Sequence, residues 1–197
     1  MGLVKPPKTS RLPDIVTVVQ MRRIVASTRV LSYRVFFFTL YSMGLRLGEG
    51  LRLRVEDIDA DRMQVHIRNA KGNRDRLVPL PVNTLNVLRR FWAVHRHPNW
   101  LFPSQHNGLK CVHKATNHRD EGGVQLALRR VVADIGLKKV LSPHSLRHSY
   151  ATHLIEAGVD PLWKYKKFWD MPRFCPPSVI PISPKKPNSI VLCKLMR

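Results

Sequence analysis

The sequence predicts a mostly helical α+β domain that contains one small antiparallel sheet. Apolar residues recur at helical spacing in several segments before residue 160, whereas one central segment alternates polar and apolar residues. Beyond residue 160 the periodicity disappears. With 197 residues, 44% of them apolar, the chain is long enough for one domain with a core and an appendage.

The first part of this domain is predicted to be helical. Residues 15–27 carry apolar side chains at helical spacing and indicate an amphipathic helix. Residues 32–43 are apolar nearly all round, which is typical of a central, buried helix. Gly44 should end that helix, because glycine readily adopts the left-handed backbone found at helix C-termini. A short helix is expected at 49–55, followed by an acidic turn at 56–61.

A β-hairpin is expected in the middle of the chain. Residues 63–68 alternate between apolar and polar and predict one strand, and residues 74–78 predict its partner. The sequence Lys71-Gly72-Asn73 between them is typical of a turn.

Helices are predicted again in the second half of the chain. Residues 81–94 have helical spacing, and no period is sustained in residues 95–121, which indicates a loop with a short strand near 100–102. A further helix is expected at 124–135. The apolar face of the helix at 81–94 would carry Leu85, Leu88 and Trp92, with Arg89 and Arg90 turned away.

The charge of the chain indicates a polyanionic partner. Thirty-four Lys and Arg against thirteen Asp and Glu give a formal net charge of +21. Such a surplus favours nucleic acid as the partner, and a merely soluble basic protein is the alternative.

The sequence also predicts the compartment. Three widely spaced cysteines favour a reducing environment over a disulfide framework. Residues 1–11 lack the apolar segment of a signal peptide, and the longest apolar run, 35–41, is too short to cross a bilayer. We therefore expect a cytoplasmic protein without a membrane partner.

No cofactor is expected. A metal site could be sought around Cys111 and five nearby histidines, but no paired ligand spacing supports one. A Gly-rich phosphate loop of the nucleotide-binding type is also missing from the sequence, so no nucleotide or other small-molecule substrate is indicated. The histidines are His95, His97, His106, His113 and His118.

Two motifs point to phosphate chemistry. In the sequence PHSLRHSY, His144 and Arg147 lie one turn apart on one helix, for which Ser142 is a suitable N-cap and Pro143 a suitable first residue. In the sequence GLRLGE, Arg46 supplies a second guanidinium from a separate helix. Two guanidiniums that converge can bind the oxygens of one phosphate in plane and stabilise charge that develops there.

The motifs GLRLGE and PHSLRHSYATHLIEAG resemble the catalytic domain of tyrosine recombinases, closest to the integrase branch found with integrons and phages. The resemblance implies that Arg46 and Arg147 bind the scissile phosphate of duplex DNA, and that His144 assists proton transfer and phosphate contact. It implies that Lys71 protonates the leaving 5′-oxygen. Glu49 resembles the family's acidic residue after the first arginine and is expected to orient Arg46 or to pack the fold, not to react. Intact relatives act without metal, as tetramers on paired sites, through a tyrosine that forms a 3′-phosphotyrosyl link.

Other residues near the motifs have less specific roles. Arg74 and Arg76 could hold DNA phosphates, or could belong to an exposed strand face. His148 is expected to face away from the site. Tyr150 should point its hydroxyl against the core, and neither it nor Tyr165 is expected to replace the nucleophile.

The resemblance covers residues 12–160 and divides the chain into three parts. Residues 1–11 form a basic arm in the position where intact relatives carry an N-terminal helical domain. Residues 12–160 form an incomplete catalytic domain. Residues 161–197 form a Pro-rich basic tail with seven of the fifteen prolines, which we expect to be disordered.

The tail is interpreted as the product of a frameshift near Asp160 or Pro161. When the codons of residues 163–172 are read one nucleotide earlier, they permit E-V-Q-x-I-L-G-H-A, which is the segment that the family carries there. Nine codons after that His, the shifted frame permits a Tyr codon spanning Val179 and Ile180. The chain as translated would then lack its nucleophile and would not break DNA. The alternatives are a non-catalytic DNA-binding remnant that regulates intact recombinases and a non-functional pseudogene product.

Overall fold

The computed structural model describes residues 14–70, 74–105 and 109–157. The basic arm, the predicted turn with Lys71, and the tail with Tyr165 lie outside the described residues. Within them the fold is mostly helical with a small antiparallel sheet, so the predicted α+β class is confirmed. The helices are α1 (Val18–Ser27), α2 (Leu31–Met43), α3 (Leu47–Leu51), α4 (Val82–His95), α5 (Glu121–Asp134) and α6 (Pro143–Glu156). The strands are β1 (Ile58–Asp59), β2 (Gln64–Ala70) and β3 (Arg74–Pro79).

Helix α2 forms the centre of the fold, as predicted from its apolar sequence. Phe36, Phe37 and Leu40 are completely buried, and the helix packs against α1, α3, α4 and α6. Gly44 ends it with φ 59° and ψ 38°, and its N–H donates to the carbonyl of Leu40. The predicted left-handed glycine is therefore confirmed.

The sheet has the strand order β1-β2-β3 and is antiparallel throughout. Val65 on β2 lies opposite Val78 on β3, and both are buried together with Ile67. The register is irregular between Ile67 and Ala70. Strand β1 lies within the segment that the sequence suggested was only an acidic turn; its two residues pair with β2.

Two helices begin earlier than their periodicity predicts, because polar side chains cap them. Helix α3 starts at Leu47, since Glu49 accepts from the backbone N–H of Arg46. Helix α5 starts at Glu121, since the carboxylate of Asp120 accepts from the N–H of Gly123 at 2.7 Å. The glycine pair at 122–123 therefore lies inside α5 instead of preceding it.

Helix α4 buries a different aromatic residue from the one predicted. Phe91 is 3% exposed, whereas Trp92 is only partly buried and donates its indole N–H to the carbonyl of His97. Arg89 and Arg90 are exposed, as expected.

The loop after α4 contains isolated bridges in place of the expected strand. Arg54 pairs with Trp100, and Pro103 pairs with His118. His97 is 2% exposed, and its Nε2 lies 2.8 Å from the carbonyl of Ala115. Among the described residues no three His, Cys, Asp or Glu side chains gather as metal ligands, and none of the described helices has the length and apolarity to cross a membrane.

Helix α6 is held firmly against the rest of the domain. Ser142 caps it and Pro143 is its first residue, as predicted. The hydroxyl of Ser149 accepts from the N–H of Val16 at 2.8 Å, and Nδ1 of His153 lies 2.7 Å from the buried hydroxyl of Tyr41. These contacts fix the rotation of α6 about its axis, and with it the direction of the face that carries His144 and Arg147.

Candidate active site: an arginine cluster around Glu49

Three arginines from three different elements converge on one buried carboxylate. Arg46 lies at the N-terminus of α3, Arg76 on β3 and Arg147 on α6. All three have a guanidinium nitrogen within 4 Å of Glu49, whose side chain is only 4% exposed. These four residues are called the arginine cluster below.

The arginines contact Glu49 unequally. Nη1 of Arg46 donates to Oε1 at 2.7 Å, and the Arg46 backbone N–H donates to Oε2 at 2.8 Å. Nη2 of Arg76 also donates to Oε2 at 2.8 Å. Nη1 of Arg147 lies 3.6 Å from Oε2 and instead donates to the carbonyl of Gly44 at 2.8 Å.

The cluster carries more positive charge than Glu49 can balance. Burial alone would raise the pKa of the Glu49 carboxyl, but hydrogen bonds from Arg46 and Arg76 outweigh burial and lower that pKa. The carboxylate is therefore ionised at neutral pH, and it balances one of three guanidinium charges. The guanidiniums are partly exposed, with side-chain exposures of 39% for Arg46, 26% for Arg76 and 25% for Arg147. An anion from outside can reach them.

The turn at Gly44 supports Arg147. The Gly44 carbonyl accepts from Arg147, and the ring of Tyr150 packs directly on the Gly44 Cα, where an added Cβ would collide with Cδ1 of that ring. Tyr150 is partly buried against the core, and burial raises the pKa of its hydroxyl. A phenol with a raised pKa is less readily ionised at neutral pH, which agrees with the expectation that Tyr150 does not serve as the nucleophile.

His144 is exposed on the first turn of α6, and its ring contacts His148. The ring centroids lie 4.7 Å apart at an interplanar angle of 85°. His148 therefore lies on the same face of α6 as His144, because residues four apart on a helix share a face. Burial, followed by the charges of His148, Arg147 and Arg46, lowers the pKa of His144. The neutral imidazole is thus favoured at neutral pH.

The structure brings together Arg46, Glu49 and Arg147, which the sequence singled out, and the charges of both arginines act on His144. Lys71 lies outside the described residues, and the side chain of Arg74 is likewise not described. Arg76 joins the cluster, so the alternative that it belongs to an exposed strand face is wrong. Two-residue alternation along β3 places Arg76 on the same face as the buried Val78, a signal that the sequence already contained.

Comparisons with known proteins agree with this geometry. The model of the phage integrase family matches residues 14–162. The integrase/recombinase y4qK of Sinorhizobium fredii is 36% identical over 155 residues, which are 79% of this chain and 48% of that protein. A tyrosine recombinase of Thermosipho africanus is 33% identical over 164 residues, covering 81% of this chain and 54% of the relative. The chain thus spans about half the length of these curated relatives.

Solved structures share the fold at lower identity. The crystal structure of XerA recombinase matches with a TM-score of 0.62 and 22% identity, over 80% of this chain and 55% of that chain. A lambda integrase dimer bound to a COC′ core site matches with a TM-score of 0.63 and 14% identity, over 85% of this chain and 63% of that chain. Because the family model covers most of the chain and the fold agrees, this protein belongs to the phage integrase family of tyrosine recombinases and contains its catalytic-domain fold.

Proposed function

We propose that the arginine cluster binds a scissile phosphate of duplex DNA, and that this chain is a DNA-binding member of the site-specific recombinases. The observation that carries the proposal is the convergence of Arg46 and Arg147 on Glu49, with a surplus of positive charge that remains partly exposed. The formal net charge of +21 supports a polyanionic partner. Family membership supports DNA as that partner, and the lambda integrase relative was solved on a core site.

Each residue has a distinct part in the proposed chemistry. Arg46 and Arg147 would hold the non-bridging oxygens of the phosphate and stabilise the charge that grows there during strand cleavage. His144, which is neutral at neutral pH, can donate a hydrogen bond to the phosphate or accept a proton. By family resemblance Lys71 would protonate the leaving 5′-oxygen. As in intact relatives, the assembly on DNA would be a tetramer on paired sites.

The proposal includes the loss of strand cleavage in the chain as translated. It rests on the shifted reading frame, in which the codons of residues 163–172 permit the family's missing segment and the codons of Val179 and Ile180 permit its tyrosine. The chain would then occupy DNA without forming the phosphotyrosyl link.

DNA binding is tested by titrating the full chain with a short duplex at several salt concentrations. We expect Arg147→Gln to weaken binding about tenfold and to reduce the slope of log K against log salt by about one, because one phosphate contact is lost. Arg68→Gln is the matched control, since Arg68 is also a sheet arginine but is paired with Asp57 and Glu56 instead of Glu49. Equal slopes for all three proteins would contradict the proposed phosphate site.

Strand cleavage is tested with a nicked suicide substrate that traps a covalent protein–DNA adduct. We expect no adduct from the chain as translated and an adduct from a version whose reading frame is restored after Asp160. In the restored version, replacing the recovered tyrosine with phenylalanine should abolish the adduct. An adduct formed by the chain as translated would show that another residue serves as nucleophile.

A further inference from the structure

Arg76 and Arg147 share one oxygen of Glu49, but only Arg76 is close to it. Oε2 accepts the Arg46 backbone N–H and Nη2 of Arg76, both at 2.8 Å, and these two donors satisfy its two lone pairs. Nη1 of Arg147 is held off at 3.6 Å and bonds to the Gly44 carbonyl. The contacts therefore divide the arginines into two that neutralise Glu49 and one that does not.

We infer that Arg76 is a positioning residue that occupies Oε2 of Glu49 and so keeps the Arg147 guanidinium free of a close salt bridge and available to a phosphate. This inference rests on the proposed function, because it assigns a purpose to the free charge of Arg147. It differs from the expectation that Arg76 itself holds a DNA phosphate.

The surroundings of Arg76 fit a positioning role better than a DNA contact. One end of its guanidinium is bound to Glu49, and its Nε is buried without a hydrogen-bond partner among the described residues. A buried donor without a partner is costly and calls for an explanation, and the bond of the same guanidinium to Glu49 offers one. The like charges of Arg46 and Arg76 also act on Arg147, and burial together with those charges lowers its pKa. An added anion would relieve this repulsion.

The inference predicts what happens to Arg147 when Arg76 is removed. In Arg76→Gln, the vacated lone pair of Oε2 can accept from Arg147, which would shorten the 3.6 Å separation to a direct salt bridge. Arg147 would then be sequestered before any anion arrives. In Arg76→Lys, an ammonium can keep the bond to Glu49 and the total charge, so Arg147 should stay free.

The test is an NMR titration of the full chain with inorganic phosphate, observed at the guanidinium resonances of Arg147. Arg147→Lys serves to assign these resonances. We expect Arg76→Gln to bind phosphate about tenfold more weakly than the wild type, and Arg76→Lys to bind within about twofold of it. The Arg147 resonances of Arg76→Gln should already differ before phosphate is added, because the salt bridge to Glu49 has formed. If Arg76→Gln acted only by removing a positive charge, phosphate binding would weaken, but the Arg147 resonances before phosphate is added would be those of the wild type.

The double variant Glu49→Gln with Arg76→Gln completes the test. Without a carboxylate to sequester it, Arg147 should regain wild-type phosphate binding, and the total charge of the cluster is the same as in the wild type. If Arg76→Gln does not fold, Glu49→Gln alone replaces it, and a loss of phosphate binding in that variant would contradict the inference.

The outcomes separate the two proposals. If the wild type shows no response to phosphate at Arg147, the proposed function fails, and the role of Arg76 fails with it. If the wild type responds and Arg76→Gln has the same anion-free resonances and the same affinity, only the role of Arg76 is overturned.

Discussion

Two groups of arginines beside the β2–β3 hairpin treat positive charge in opposite ways. In the arginine cluster, three guanidiniums share the single buried carboxylate of Glu49. Near β1, by contrast, Arg68 binds Asp57 at 2.6 Å and Glu56 at 3.1 Å, and Glu56 also binds Arg54 at 3.2 Å. The second set is balanced and has no charge left for a ligand. The positive charge that is available to a ligand therefore depends less on the number of arginines than on the number of carboxylates beside them.

The largest difference between the two regions should appear in stability. Glu49→Leu would leave three partly buried guanidiniums without a counter-ion, and breaking a buried ion pair in this way costs about 3–5 kcal/mol. The exposed Glu56 is the control, because losing surface ion pairs in Glu56→Gln should cost less than about 1 kcal/mol. Both are measured as the free energy of unfolding in urea. Equal losses would mean that Glu49 is not a buried counter-ion.

The next effect concerns the turn that supports Arg147. Gly44→Ala should destabilise the fold by about 2–4 kcal/mol, because a left-handed residue with a Cβ is strained and the Cβ would collide with Tyr150. Gly136 offers a matched control: it has φ 68°, but a Cβ added there would meet no described atom within 4 Å, so Gly136→Ala should show only the strain, about 1–2 kcal/mol. Urea unfolding again gives the values, and a smaller loss for Gly44→Ala than for Gly136→Ala would refute the packing argument.

A smaller effect is the dependence of stability on pH. The pKa of Glu49 is lowered in the folded state, so its ionised form stabilises the fold above the ordinary carboxyl pKa of about 4.3. That contribution is lost as pH falls through the folded pKa. The free energies of unfolding of the wild type and Glu49→Gln should therefore differ most near neutral pH and approach each other in acid. A gap that stays constant with pH would contradict ionisation of Glu49.

The smallest expected effect is the change in the pKa of His144 when its ring neighbour is removed. His148→Asn should raise the pKa of His144, because the charge of His148 is one of the causes that lower it after burial. NMR titration of the imidazole resonances measures the change. His66→Asn is the control, since His66 binds Asp75 at 3.0 Å on the sheet, and it should leave the pKa of His144 as it is.

The sequence predicted the parts of the fold whose causes are local. The apolar run of α2, the glycine after it, and the Ser142-Pro143 start of α6 all depend on neighbours a few residues away, and the structure contains each of them. Predictions failed where a distant contact decided the outcome. Strand β1 exists only because β2 pairs with it, and Phe91 is buried in place of Trp92 because its ring packs on Phe102.

The candidate site shows the same division. Motif spacing selected His144 and Arg147, because a one-turn separation on a helix is fixed by the chain, and the resemblance of GLRLGE to the family's motif selected Arg46. Only the tertiary structure decided that Glu49 also binds Arg76, which lies 27 residues further along the chain. The tertiary structure also decided that Arg147, at 3.6 Å, is the arginine farthest from the Glu49 carboxylate. The physical reason is that a carboxylate has few lone pairs, and which donors fill them depends on distances between separate elements.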